Sequence, residues 1–146
     1  MLKRNKVISW IMLIGWMGII FFMSHQPGNI SSSQSELVIK IFEIIGIRLD
    51  SYFGDLATFI IRKTAHFSEY FILFLLLYRV TCIYIDKEHA KLYALLIVFL
   101  YAGSDEIHQY FIPGRAMSFK DVMIDTSGGF LAMIITYLYD KIKANK

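Results

Sequence analysis

The chain has 146 residues, 56% of them hydrophobic and only 18% charged, where a soluble domain carries about 25% charged residues. With mean hydropathy at +0.52, that balance excludes an ordinary soluble domain and fits a single integral membrane domain over residues 1–146. The net charge of +3 is small and matters through where the charges sit; no nucleic-acid partner is expected, and the single cysteine, Cys82, excludes an internal disulfide and a cysteine-rich metal site.

Lys3, Arg4 and Lys6 precede an apolar run over residues 7–23. A basic start before an apolar segment has the shape of a signal peptide. The run is bulky, however, with Trp10, Trp16, Phe21 and Phe22, and Met23-Ser24-His25-Gln26-Pro27 offers no small-residue cleavage site. It reads as an uncleaved first membrane helix with its N-terminus in the cytoplasm. Pro27, Gly28 and Asn29 break that helix, and residues 30–34 read as a polar serine loop. Over residues 35–48, Glu36, Lys40 and Glu43 recur by four and three, which places one polar stripe on a helix too short and too charged to span. An amphipathic helix on the outer surface, or capping the bundle, is expected there. Residues 50–55 make a further break.

Three more spans follow, at residues 65–85, 92–111 and 121–139. Ser118 is placed to N-cap the last, with Asp121 at the third helical position. Four spans put both termini inside. The basic residues agree: Lys3, Arg4, Lys6, Arg79, Lys87, Lys91, Lys141, Lys143 and Lys146 fall in inside segments, outnumbering those outside. The fold class expected is all-α, an integral membrane four-helix bundle with an amphipathic extracytoplasmic helix between spans 1 and 2. Trp10, Tyr70, Tyr110, Tyr137 and Tyr139 read as interface anchors, and Gly128-Gly129 as a close helix approach.

This topology collects the unusual side chains at one end. His66 and Glu69 sit near the outer end of span 2, Asp105, Glu106, His108 and Gln109 near that of span 3, and Asp121 and Asp125 at the outer start of span 4. At about 1.5 Å rise per residue, Glu69, Asp105 and Asp125 each lie within roughly 10 Å of the outer boundary. The cytoplasmic half is expected to hold no comparable group. Arg62 and His66 are four apart, His66 and Glu69 three, and Asp121 and Asp125 four, so each pair shares a helix face. Asp105 is expected to face the centre, with Glu106 on the flank.

Three chemistries suit this set. Arg62, Lys63 and Arg115 fit capture of a phosphate or carboxylate. His66 or His108, oriented by Glu69 or Asp105, fits general acid–base work. His66, Glu69, Asp105 and His108 are also the nitrogen and oxygen donors of a divalent-metal site, which Asp121 and Asp125 could join. Against all three stands plain structural pairing, of Arg62 with Glu69 or Asp121 and of Arg115 with Asp105, that locks the bundle.

These motifs resemble the VanZ-like family of bacterial membrane proteins. The likeness lies in Phe21-Phe22-Met23-Ser24-His25-Gln26-Pro27, in Arg62-Lys63-Thr64-Ala65-His66-Phe67-Ser68-Glu69-Tyr70, and in Ser104-Asp105-Glu106-Ile107-His108-Gln109 with Pro113-Gly114-Arg115 and the stretch from Asp121 to Asp125. At His25 a second serine is common in that family. The resemblance implies a multi-span protein of the bacterial cytoplasmic membrane, and the family's namesake is associated with resistance to the lipoglycopeptide teicoplanin. The function expected is binding or processing of a phosphorylated lipid or lipid-linked cell-wall intermediate at the outer leaflet. In an enzyme form His66 or His108 is the acid/base, oriented by Glu69 and Asp105. Arg62, Lys63, Glu106, Gln109, Arg115, Asp121 and Asp125 then line the substrate. The alternative is a non-catalytic factor that sequesters or excludes a lipoglycopeptide or its target. A proton-coupled carrier is the third reading, weakened by the apolar cytoplasmic half and revived by any charge facing the interior there.

Overall fold

The computed structural model describes residues 2–54 and 56–145, and the side chains of 2–5 and 50 are outside that description; the side chains of Lys3 and Arg4 of the basic start, and Asp55 and Lys146, therefore lie outside what is described. The described residues form six helices and no strand: α1 (Leu2–Ser24), α2 (Gly28–Ile44), α3 (Leu49–Phe53), α4 (Leu56–Thr81), α5 (Lys87–Gln109) and α6 (Phe119–Ala144). Helix α4 is the hub and packs against α6, α5, α1 and α2. Short connections make α4, α5 and α6 antiparallel neighbours. The core along them is Tyr70, Leu73, Phe74 and Leu77 of α4, Ala94, Val98 and Ala102 of α5, and Val122 and Ala132 of α6.

Small residues let α4 and α6 approach closely. A Cβ on Gly128 would strike the Phe67 carbonyl, and one on Gly129 would meet Val98 Cγ1 at 2.8 Å. The glycine pair is therefore a packing device, as its sequence anticipates. Helix α1 is pinned to the others along its middle turns. Trp10 donates to the Tyr84 hydroxyl at 3.1 Å, Trp16 donates to the Glu69 carbonyl at 3.0 Å, and the Tyr101 hydroxyl donates to the Met17 carbonyl at 2.8 Å.

Several boundaries differ from the sequence reading. The amphipathic helix starts at Gly28, not residue 35, and the serine run is helical rather than a loop. Ser32, Ser33 and Ser35 each donate to the carbonyl four residues back, which satisfies their hydroxyls within the helix. Helix α4 begins at Leu56, a full two turns before the expected span, and a five-residue helix, α3, occupies most of the expected break. Ser118 is the N-cap of α6, but its side chain makes no capping bond. Instead the Glu106 carboxylate accepts from Ser118 N at 2.7 Å.

Among the described residues, two helices meet the length and apolarity of a membrane crossing: Lys6–Ser24, with mean hydropathy 2.1, and Phe119–Ala144, with 1.4. Helices α4 and α5 carry the charged motifs within their length. Large apolar side chains stand exposed around the bundle, among them Ile11, Ile14 and Phe22 on α1, Leu92 and Leu100 on α5, and Leu138 and Ile142 on α6.

Candidate functional site

The first half of α4, the last turns of α5, the first turns of α6 and the end of α1 meet at one end of the bundle. Asp105 and Asp125 are buried there, at 4% and 1% exposure, with Glu106 at 2% and Gln109 at 4%. Glu106 is thus not on a flank: α6 packs over it and the start of α6 supplies its hydrogen bond. Ser24 Oγ donates to Asp105 Oδ2 at 2.5 Å, and Gln109 Nε2 donates to both Asp105 Oδ2 and Ser24 Oγ at 2.9 Å. Arg115 donates to Gln109 Oε1 at 3.1 Å. That bond fixes which end of the Gln109 amide faces the acid. Arg115 also donates to the Gln26 and Met23 carbonyls, so the guanidinium seats the C-terminal end of α1.

His66 lies on the other side of Asp105. Its Nδ1 is 3.6 Å from Glu69 Oε2 and 4.0 Å from Asp125 Oδ1. Donor atoms of His66, Asp105 and Asp125 all lie within 4.8 Å of one another. Both carboxylate oxygens of Asp125, the Tyr70 hydroxyl and His66 Nδ1 are buried without a hydrogen-bond partner. Such groups are costly to leave unpaired and point to something that binds between them.

A cavity of about 130 Å³ opens beside this cluster, between α2 and α4. Helix α2 contributes Ser31, Gln34, Ser35 and Val38, and α4 contributes Ile61, Arg62, Ala65, His66 and Glu69, with Met23 and Arg115 closing one end. Arg62 donates to Ser32 Oγ at 2.8 Å, while its buried Nε has no partner.

The expected site residues divide in three. His66, Glu69, Asp105, Asp125, Gln109, Arg62 and Arg115 come together. Lys63 and Asp121 pair with each other at 2.6 Å on the rim. His108 does not join His66. It faces α1, where its Nε2 is 3.1 Å from His25 Nδ1 and its ring packs on Phe21. The expected ion pairs of Arg62 with Glu69 or Asp121, and of Arg115 with Asp105, do not form either: Arg62 donates to Ser32, and Arg115 to Gln109 and to the Met23 and Gln26 carbonyls.

Sequence reasoning missed Ser24 and misread Tyr70. Tyr70 is fully buried rather than an interface anchor, and its offset of four from His66 already put the two on one face. The opposite end of the bundle also holds a polar group that was not expected. Lys91 is 3% exposed and pairs with Glu88 at 2.9 Å and Asp140 at 3.3 Å, while Tyr78 donates to Asp140 at 2.7 Å. Fourteen residues separate Lys91 from Asp105 on α5, about 21 Å of helix, and the buried side chains between them are Ala94, Val98 and Ala102. The two polar ends are therefore not joined by a polar path along α5.

An all-helical bundle with exposed apolar faces and an ionisable cluster buried at one end fits a membrane-associated protein. The chain belongs to the VanZ/LLP1 family, which it matches over residues 9–140. No curated protein and no solved structure matches it.

Proposed function

We propose that this VanZ/LLP1 protein spans the bacterial cytoplasmic membrane four times, with α1, α4, α5 and α6, and binds the phosphate-bearing head of an envelope lipid or lipid-linked cell-wall intermediate at the outer leaflet. The observation that carries the reading is the α2–α4 cavity, whose wall gathers two guanidinium groups, Arg62 and Arg115, with His66 and Glu69. An arginine donor in a part-apolar cavity favours an anion, since the planar guanidinium matches phosphate geometry. The amphipathic α2 roofs the cavity, with Leu37, Ile41 and Ile44 exposed as an apolar surface for acyl or prenyl chains. His66 and Glu69 stand where they can exchange a proton with a bound phosphate ester, which is the enzymatic form of the reading. In this reading a link to glycopeptide resistance runs through the lipid-linked precursor.

The test compares polyprenyl phosphate with uncharged polyprenol, each titrated into the purified protein in lipid nanodiscs. Saturable binding of the phosphate alone is expected. Equal binding of both lipids overturns the reading, and release of inorganic phosphate during the titration separates processing from binding.

A further inference from the structure

We propose that His66, Asp105 and Asp125, with Glu69 beside them, form a binding site for one divalent transition-metal ion of the zinc or manganese type. The proposal deepens the phosphate-binding reading and rests on it for the ion's role; the ion itself can be tested without any lipid.

Three observations carry it. First, the donors converge. One ligand atom from each of His66, Asp105 and Asp125 lies within 4.8 Å of the others. Donors about 2.1 Å from a shared tetrahedral ion stand about 3.4 Å apart. Side-chain rotations of about an ångström therefore bring the three onto one ion, without moving a helix. Second, Asp125 has no cationic partner among the described residues. Asp125 is 1% exposed, yet neither of its carboxylate oxygens has a hydrogen-bond partner. Among the described residues no lysine or arginine pairs with Asp125, Asp105 or Glu69 within 4.0 Å, although Lys63 takes Asp121 nearby. A buried carboxylate is normally paired or bound to metal. Third, one ligand is already held as metal ligands are. Both bonds that Asp105 accepts, from Ser24 and Gln109, land on Oδ2, and Gln109 is itself held by Arg115. Outer-shell bonds of this kind orient a carboxylate for its ion and leave the other oxygen to coordinate.

The donor set is one imidazole nitrogen with carboxylate oxygens and no thiolate. That mix suits zinc or manganese. His66 and Glu69 line the cavity wall, so an ion here borders the space assigned to the phosphate. It would add positive charge to that of Arg62 and Arg115 on the cavity wall.

The experiment uses full-length protein purified with a tag other than polyhistidine, equilibrated with zinc or manganese and then freed of excess. Metal is counted by plasma mass spectrometry, and thermal unfolding is followed with and without chelator. About one ion per chain is expected, with a thermal midpoint several degrees higher in the metal-loaded form. Asp125→Asn should lose both the ion and the shift, and His66→Gln provides the same test should Asp125→Asn fail to fold. His108→Ala should keep both. Folded wild-type protein with no ion and no metal-dependent shift overturns the proposal. So does an ion that persists in folded Asp125→Asn or His66→Gln. Lipid-phosphate binding without metal removes this proposal alone, whereas metal without lipid-phosphate binding removes only the reading it builds on.

Discussion

Asp105 shows how a single acid can be held in place inside an apolar bundle. Ser24 and Gln109 each bond to Oδ2, and the Gln109 amide is oriented by Arg115. Losing one partner leaves a buried acceptor short of a bond, which costs about 1–3 kcal/mol. Ser24→Ala should therefore lower stability by about that amount in denaturant titrations of the purified protein, and an unchanged midpoint would remove Ser24 from the network. Asp105, His66 and Glu69 were legible in the sequence because three- and four-residue spacings put them on defined helix faces. Ser24 was not, since its partner lies 81 residues away and nothing local announces the pairing. His108 was misplaced for a geometric reason. Three residues along a helix from Asp105 turn the side chain back by about 60°, enough to aim it at the end of α1 and the ring of His25 instead of at His66.

At the scale of helices, close approach and capping decide what the chain tolerates. Gly128→Ala drives a Cβ into the Phe67 backbone carbonyl, while Gly129→Ala meets the Val98 side chain, which can shift where a backbone cannot. Overpacking costs typically 1–3 kcal/mol, so Gly128→Ala should sit near about 3 kcal/mol and Gly129→Ala near about 1 kcal/mol. Equal thermal midpoints for the two variants would contradict the close α4–α6 contact. The start of α5 is set by Asp86, whose carboxylate accepts from the backbone of Glu88 and His89. The bond from His89 N, then the His89 ring, holds its carboxyl below its usual range. A depressed folded-state pKa adds stability above the unfolded value, and that stability is lost as pH falls through the folded one. The stability gap between wild type and Asp86→Ala should hold at neutral pH and shrink on acidification into and below the usual carboxylate range. The serine run escaped prediction for the opposite reason. Serine is read as a loop former because its hydroxyl competes for backbone bonds, but here the Ser32, Ser33 and Ser35 hydroxyls bond back within α2, and Ser32 also receives Arg62.

Over the whole molecule, the sequence revealed the helical class and the gathering of polar groups at one end, because apolar runs and charged motifs alternate along the chain. It concealed the buried Lys91–Asp140 pair at the other end, whose members lie 49 residues apart and look like ordinary loop charges. Four proposed spans put these two ends on opposite sides of the membrane. In a Cys82→Ala background, an impermeant thiol reagent added to intact cells should label Phe111→Cys, at the site's end, and spare Lys143→Cys. The reverse pattern would invert the proposed orientation, and labelling of both would break it.

The most direct measurement is the affinity of a short-chain lipid phosphate for wild-type protein, Arg62→Gln and His108→Ala side by side. Arg62 lines the cavity, and a charge-assisted bond is worth about 1.5–3 kcal/mol, so Arg62→Gln should weaken binding about tenfold or more. His108→Ala, which alters only the contact with α1, should bind like wild type. Binding that is equal in Arg62→Gln and wild type, or lost in His108→Ala alone, would contradict a phosphate site in the α2–α4 cavity.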